Sequence, residues 1–158
     1  MHFISTAIGL GEKTAQIHTC PTNSGGHRLT GFDGREDIER IPTFGPIYVP
    51  MKPLSDLFNE FTIEKCDLLK IDTEGYEVFV LESLKNQLNP DKIKHIIVEL
   101  GPEGLRSAGK SGWELILLML KRGYICKILG TDESIECEKQ VPHLPDFSVI
   151  DLVFSPSS

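Results

Sequence analysis

The apolar residues switch repeatedly between a helical and a strand repeat from Leu54 onward, and this alternation constrains the fold more than any other feature. The predicted order is helix, strand, helix, strand, helix, strand and strand. Because strands joined through helices run parallel, the pattern predicts an α/β fold with a mostly parallel sheet and helices on both faces. The last two strands have no helix between them, so we expect them to close the sheet as an antiparallel pair.

Local signals mark the individual elements. Apolar residues at i, i+3, i+4 and i+7 predict a helix over residues 54–61, and a second helix is predicted over residues 76–88. Ser111 with Glu114 has the spacing of a capping box at the start of the last helix. The predicted strands of this region cover residues 66–71, 94–100, 124–129 and 147–154.

The first third of the chain is less regular. Residues 3–8 and 14–19 have the pattern of two short strands joined by a glycine turn, which predicts a hairpin. Residues 21–44 are rich in glycine, asparagine and charged side chains, and they predict a long irregular loop. A short strand is expected at residues 47–49.

The overall composition restricts the class of protein. A length of 158 residues with 40% hydrophobic side chains predicts one domain over residues 1–158. Sixteen basic and 23 acidic residues give a formal net charge of −7, which argues against a nucleic acid as the partner. No apolar run is long enough for a membrane span and no signal peptide is evident, so we expect a cytoplasmic protein with reduced cysteines.

Two acidic residues directly follow the predicted strand 66–71. Asp72 and Glu74 are separated by one residue and precede a glycine and the next helix. In open α/β sheets ligands bind beyond the carboxyl ends of the strands, and unpaired buried carboxylates are costly, so these side chains are expected to face a site. The alternative is a solvated loop whose carboxylates lie near the positive end of a helix. Spacing alone leaves both interpretations open.

Several runs of the sequence resemble the C-terminal half of the FkbM-type S-adenosylmethionine-dependent methyltransferases. These runs are KPLSDLF, DLLKIDTEGYEVFVLESL and KHIIVEL. The family core Lys-Ile-Asp-x-Glu-Gly-x-Glu is matched by Lys70, Ile71, Asp72, Glu74, Gly75 and Glu77. The resemblance extends more weakly over nearly the whole chain. It implies an incomplete Rossmann-like, class I methyltransferase fold, S-adenosylmethionine as cofactor, and O-methylation of a hydroxyl-bearing metabolite or sugar.

The chain departs from the family in its cofactor half. The family carries a glycine-rich loop after its first strand and an acidic residue at the end of its second, and neither is found here. Gly9–Gly11 and Gly25–Gly26 are the only candidates for the loop, and both are predicted to be turn glycines. The chain is therefore expected to be the C-terminal portion of the domain, beginning at the family's third strand. Cofactor-binding residues stay unassigned, and weak or absent activity is expected for the chain alone.

Without those first strands, the predicted strand at residues 68–71 would lie uncovered at the edge of the sheet. Three outcomes are open. The N-terminal hairpin could fold over the edge, a partner could cover it, or the sequence could derive from an incomplete gene model, which is the explanation we favour. An exposed edge also makes self-association of the chain plausible.

The motif and the resemblance together give the candidate site residues. Asp72 and Glu74 are the candidate catalytic residues, because methyl transfer requires a group that orients the acceptor hydroxyl and takes up its proton. The candidate substrate-binding residues are Asn23, Gly25, Tyr76 and Glu99. Structural alternatives are that Glu74 caps its helix and that Tyr76 packs in the core. Glu77 is interpreted as an acid that compensates the helix dipole.

Two other functions stay open. The chain could be a non-catalytic α/β interaction module that kept the fold after losing its cofactor half. Less favoured is a divalent cation held by Asp72, Glu74 and Glu99, either assisting methyl transfer or forming the centre of a metal-dependent hydrolase. No metal site is assigned. The expected partner is a small-molecule methyl acceptor that the sequence does not identify.

Overall fold

The computed structural model describes residues 3–11, 13–19, 28–30, 44–145 and 148–157. Within these ranges the chain forms two β-sheets, with helices that pack on the second sheet. The first sheet has the strand order β1-β4-β2-β3. Its strands are β1 (Ala7–Ile8), β2 (Lys13–Thr19), β3 (Arg28–Thr30) and β4 (Phe44–Lys52).

The predicted N-terminal hairpin is wrong, because β4 lies between β1 and β2. β4 runs parallel to β1 and antiparallel to β2. Just after β1, the missing side chain of Gly9 leaves room for the side chain of Met51 from β4, whose sulfur a methyl group there would overlap. Most of the predicted loop at residues 21–44 lies outside the described residues, although β3 is a strand within it.

The second sheet has the strand order β5-β6-β9-β7-β8. Its strands are β5 (Cys66–Ile71), β6 (Ile93–Leu100), β7 (Tyr124–Ile128), β8 (Ser134–Ile135) and β9 (Ile150–Pro156). Only the β5–β6 pair is parallel, and the other neighbours are antiparallel, so the sheet is mixed and not mostly parallel. The expected antiparallel pairing of the last two long strands is present between β7 and β9. However, β9 lies inside the sheet, where it separates β6 from β7.

Four helices connect these strands in the described part of the chain. They are α1 (Leu54–Glu60), α2 (Glu77–Ser83), α3 (Pro102–Ser107) and α4 (Gly112–Lys121). The capping box of α4 is confirmed, with Ser111 and Glu114 each accepting from the other's backbone N–H. α2 is shorter than predicted and gives way to a 3₁₀ turn at Lys85–Gln87. The sequence predicts a turn at Gly101 and Pro102 and no helix after it. In the structure α3 begins there, with the proline in its first turn.

The hydrophobic core lies between one face of the second sheet and the helices. Alternate strand residues on this helix-covered face are at most 3% exposed: Ile71, Ile96, Val98, Leu100, Cys126, Leu152 and Phe154. They belong to one buried cluster with helix residues such as Leu81, Leu84, Leu115, Ile116 and Met119. Apolar burial of this kind is the main favourable contribution to folding.

The opposite face of the second sheet, here called the open face, is not covered in the same way. Leu68 is 55% exposed and Ile125 is 41% exposed. His95 and Ser155 lie between them in the same row and form a hydrogen bond of 3.0 Å from Nδ1 to Oγ. The expectation of helices on both faces is therefore wrong for the described part of the chain.

β5 is an edge strand of the second sheet, as expected from the sequence. Among the described residues its only strand partner is β6. The strands of the first sheet do not pair with it, so a hairpin folded over this edge is not what the structure shows. Separately, no helix in the described ranges is both long and apolar enough to cross a membrane.

Candidate active site at the strand ends

The end of the second sheet brings together acidic side chains from three strands. The parallel register of β5 and β6 pairs Ile71 with Val98, so the next residue of each chain segment places Asp72 beside Glu99. Glu99 lies directly opposite Asp151 in the antiparallel register with β9. Directly opposite residues point to the same face of a sheet. Asp72, Glu99 and Asp151 therefore form one row at the rim of the open face, here called the acidic row.

The electrostatics of Glu99 reflect this arrangement. Burial raises the pKa of the Glu99 carboxyl above its ordinary value, and the negative charges of Asp72, Glu74, Asp151 and Glu77 raise it further. Like charges that face each other across two strands destabilise a sheet, so the acidic row lowers the stability of the fold. One oxygen of Asp151, Oδ1, is buried without a hydrogen-bond partner. Such costs are typical of functional sites.

The loop between β5 and α2 is organised by a single buried carboxylate. Glu77 is 1% exposed, and its Oε1 accepts hydrogen bonds from the backbone N–H and the hydroxyl of Thr73, both at 3.0 Å, and from the N–H of Gly75 at 2.9 Å. Hydrogen bonds to an ionised acceptor are stronger than neutral ones. Its Oε2 is buried without a hydrogen-bond partner. The sequence predicted only a helix-dipole role for Glu77, whereas the structure shows that it holds the loop.

The same loop has an unusual backbone at Glu74 and Gly75. Both residues have positive φ angles, 55° at Glu74 and 99° at Gly75. A left-handed conformation is uncommon for a residue with a side chain and persists where the surrounding structure holds it. Gly75 lies so close to Gly104 of α3 that a methyl group at Gly75 would overlap the Gly104 backbone. The loop that presents Asp72 and Glu74 is thus held from both sides.

The structure places the remaining candidates in different environments. Asp72 is exposed and forms an ion pair of 3.3 Å with Lys70. Tyr76 is 2% exposed and packs against Phe79 with ring centroids 4.7 Å apart, which corresponds to the packed alternative. Asn23 and Gly25 lie outside the described residues. Asp151 was not a candidate, because no local signal connects a residue at the start of β9 with the acidic motif.

The acidic residues do not have the arrangement of a metal site. Among the described residues, no group of three or more histidine, cysteine or acidic side chains could hold a metal ion. Asp72, Glu74 and Glu99 are therefore near one another without forming a ligand set. The structure gives no observation that favours the metal-dependent hydrolase.

Comparison with known proteins identifies the class. An α/β domain with carboxylates gathered at the strand ends is consistent with a methyltransferase-like fold. The family model of the methyltransferase FkbM domain matches residues 2–126, which is more than half of the 158 residues. The chain therefore belongs to the FkbM methyltransferase family, and the motif around Asp72 lies inside the match. No curated protein and no solved structure matches the chain.

Three of the described glycines have no room at their side-chain positions for S-adenosylmethionine, the cofactor that the family resemblance implies. A cofactor cradle needs glycines whose side-chain position is open to the ligand. At Gly9 that position is filled by Met51, and Gly75 and Gly104 fill each other's. Gly109 and Gly130 have open space but lie in isolated turns with positive φ. Gly11, in the other part of the candidate loop, has only the end of the Lys13 side chain within 4 Å, and Gly25 and Gly26 lie outside the described residues, so the cofactor-binding residues stay unassigned.

Proposed function

We propose that this chain forms the acceptor-side part of an S-adenosylmethionine-dependent O-methyltransferase that acts on a hydroxyl-bearing metabolite or sugar. The observation that carries the proposal is the gathering of Asp72, Glu74 and Glu99 at the carboxyl ends of two adjacent parallel strands. This is where ligands bind in open α/β sheets. Membership of the FkbM family supports the methyltransferase class.

Asp72 and Glu74 act on the acceptor in this proposal. A carboxylate that accepts a hydrogen bond from the acceptor hydroxyl orients its oxygen and can take up the proton as the oxygen reacts. Glu99 lies beside Asp72 and its pKa is raised by burial and by the neighbouring acids. It therefore takes up a proton more readily than an ordinary glutamate does.

Acceptor binding tests this assignment without requiring catalysis. A panel of sugars and hydroxylated metabolites is screened against the chain by ligand-observed NMR. We expect at least one compound to bind, and we expect Asp72→Asn and Glu74→Gln to weaken its binding. Asp67→Asn is the matched control, because Asp67 is an exposed acid at the opposite end of the same strand. Binding that Asp72→Asn and Glu74→Gln leave unchanged would refute the assignment.

The cofactor is tested separately by calorimetry. The sequence shows no family-type glycine loop followed by a helix, so we expect S-adenosylmethionine to bind the chain weakly or not at all. Transfer of a labelled methyl group is then measured with the cofactor in large excess and the acceptor found in the screen. Micromolar cofactor binding would refute this expectation.

A non-catalytic interaction module is the second candidate. The observations that favour it are the surface ion pair between Lys70 and Asp72 and the exposed side chain of Leu68 on edge strand β5. An uncovered edge strand can pair with a second copy of the chain. Sedimentation equilibrium of the chain and of Leu68→Lys tests self-association. A module would self-associate or bind a protein and show no binding to the acceptor panel. The cytoplasmic location stays a prediction from the sequence.

A further inference from the structure

Gly75 and Gly104 connect the two chain segments that carry the candidate carboxylates. Gly75 belongs to the loop that follows β5, and Gly104 belongs to α3, which follows β6. A methyl group at Gly104 would lie 2.9 Å from the carbonyl oxygen of Glu74 and 3.0 Å from the Cα of Gly75. These are contacts with backbone atoms, which cannot turn away as the end of a side chain can. Any side chain at position 104 therefore displaces the loop or the helix.

Gly75 and Gly104 are each held in place by other parts of the structure. On the loop side, the N–H of Gly75 is bound to the buried carboxylate of Glu77. On the helix side, Leu105 is fully buried in the core. Glu74 is in the left-handed region, which a residue with a side chain holds only under such restraint. The contact thus transmits the position of α3 to the backbone of Glu74.

We propose that Gly104 is a positioning residue that sets where Glu74 lies relative to Glu99. Strand pairing already places Asp72 beside Glu99, but Glu74 lies beyond the end of β5, so its distance from Glu99 depends on where the contact between Gly75 and Gly104 holds the loop. The methyl acceptor is then held between groups whose distance is set by backbone contact. This inference rests on the proposed function only in assigning these carboxylates to an acceptor.

The test is Gly104→Ala, studied by NMR. The added methyl group pushes Glu74 and Gly75 away from the end of β6, so we expect the amide signals of residues 73–75 to shift. We expect the hydrogen bond from Gly75 to Glu77 to lose protection from hydrogen exchange. The negative charge of Glu74 moves away from Glu99, so the pKa of the Glu99 carboxyl should shift toward its ordinary value. A glycine needed only for the stability of α3 would leave that titration unchanged.

Gly101→Ala is the matched control. It adds the same methyl group at the N-cap of α3, one helical turn before Gly104, where the nearest atom is Cγ1 of Val149 at an ordinary 3.5 Å. We expect the signals of residues 73–75 and the titration of Glu99 to stay as in the wild type. If Gly104→Ala behaves like this control, Gly104 does not position the loop.

A second variant keeps the test decisive if Gly104→Ala does not fold. Leu105→Val loosens α3 from the core without adding an atom to the contact, and we expect it to lower the protection of the Gly75 amide. Unchanged protection in Leu105→Val would overturn the inference. Neither readout depends on methyl transfer, so failure here is distinct from failure of the proposed function.

Discussion

The two faces of the second sheet are built from alternate residues of the same strands, yet their side chains differ widely in solvent exposure. On the helix-covered face Leu152 and Phe154 are fully buried. On the open face Leu68 keeps 55% and Ile125 keeps 41% of their accessible surface. Aliphatic side chains occur on both faces, so residue type alone does not separate them. The difference arises because, in the part of the chain that the structure describes, the helices pack on one side of the sheet.

The helix-covered face contributes stability to the sheet, whereas the rim of the open face carries the candidate site. The helix-covered face supplies the apolar burial that holds the fold together. The acidic row lies at the rim of the open face, where like charges of Glu99 and Asp151 oppose each other. That repulsion is tolerated because the open face contributes little to the core. The following predictions test this separation, from the largest expected effect to the smallest.

The two faces should respond differently to truncation at neighbouring positions of β9. Phe154→Ala removes a fully buried ring and is expected to lower the free energy of unfolding by about 3–5 kcal/mol. Val153→Ala on the open face is expected to cost less than about 1 kcal/mol. Urea denaturation measures both. Equal losses would show that the open face is packed in solution and that the comparison is wrong.

Removal of the Glu77 carboxylate should have the next largest effect. Glu77→Ala leaves the donors of Thr73 and Gly75 without their buried acceptor, and we expect a loss of about 3 kcal/mol. Glu77→Gln keeps one acceptor oxygen and should lose less. Glu82→Ala is the control on the same helix, because its ion pair with Lys110 at 3.8 Å is partly exposed and worth below about 1 kcal/mol. If Glu77→Ala leaves the free energy of unfolding unchanged, the Glu77 carboxylate does not stabilise the loop.

The acidic row should appear in the pH dependence of stability. The folded-state pKa of Glu99 is raised above 4.5, so the folded chain binds its proton more tightly than the unfolded chain does. The stability that Glu99 adds through this tighter proton binding is therefore fully present below pH 4.5. It is lost as the pH rises through the folded-state pKa of Glu99. We expect Glu99→Gln to decline less in urea midpoint over this window than the wild type. If the urea midpoints of Glu99→Gln and the wild type decline in parallel, charge repulsion within the acidic row is contradicted.

The smallest effect is expected for the ion pair on the open face. Lys70 and Asp72 are 57% and 43% exposed at a separation of 3.3 Å, so Lys70→Met should change stability by less than about 1 kcal/mol. The difference should shrink further as salt is added, because exposed charges are screened. A large, salt-independent loss would indicate that Lys70 holds Asp72 in a fixed position and that the open face does contribute to stability.

Local patterns in the sequence predicted many elements and some features of the site. The capping box of α4, the edge position of β5 and the antiparallel pairing of β7 with β9 are confirmed. The neighbours of a strand were harder to predict, because period-two alternation identifies the face of a residue and not the strand beside it. β4 and β9 are both inserted between strands that are nearer to each other in sequence. Such long-range pairings leave no local signal.

The site shows the same limit. Asp72, Glu74 and Glu99 could be found because each follows or ends a recognisable strand. Asp151 could not, since its place beside Glu99 depends on the insertion of β9. Glu77 resembled any acid in a first helical turn, and only burial distinguishes it. α3 is six residues long, too short for a helical repeat to be visible.

The central place of β9 has a consequence for how the protein is made. β6 and β7 are not hydrogen-bonded to each other, so the β5–β6 and β7–β8 pairs stay separate until residues 150–156 enter between them. During synthesis these residues leave the ribosome after every other strand of the sheet. The nascent chain therefore presents two unfilled strand edges until residues 150–156 have emerged, and unpaired edges of this kind are prone to aggregation.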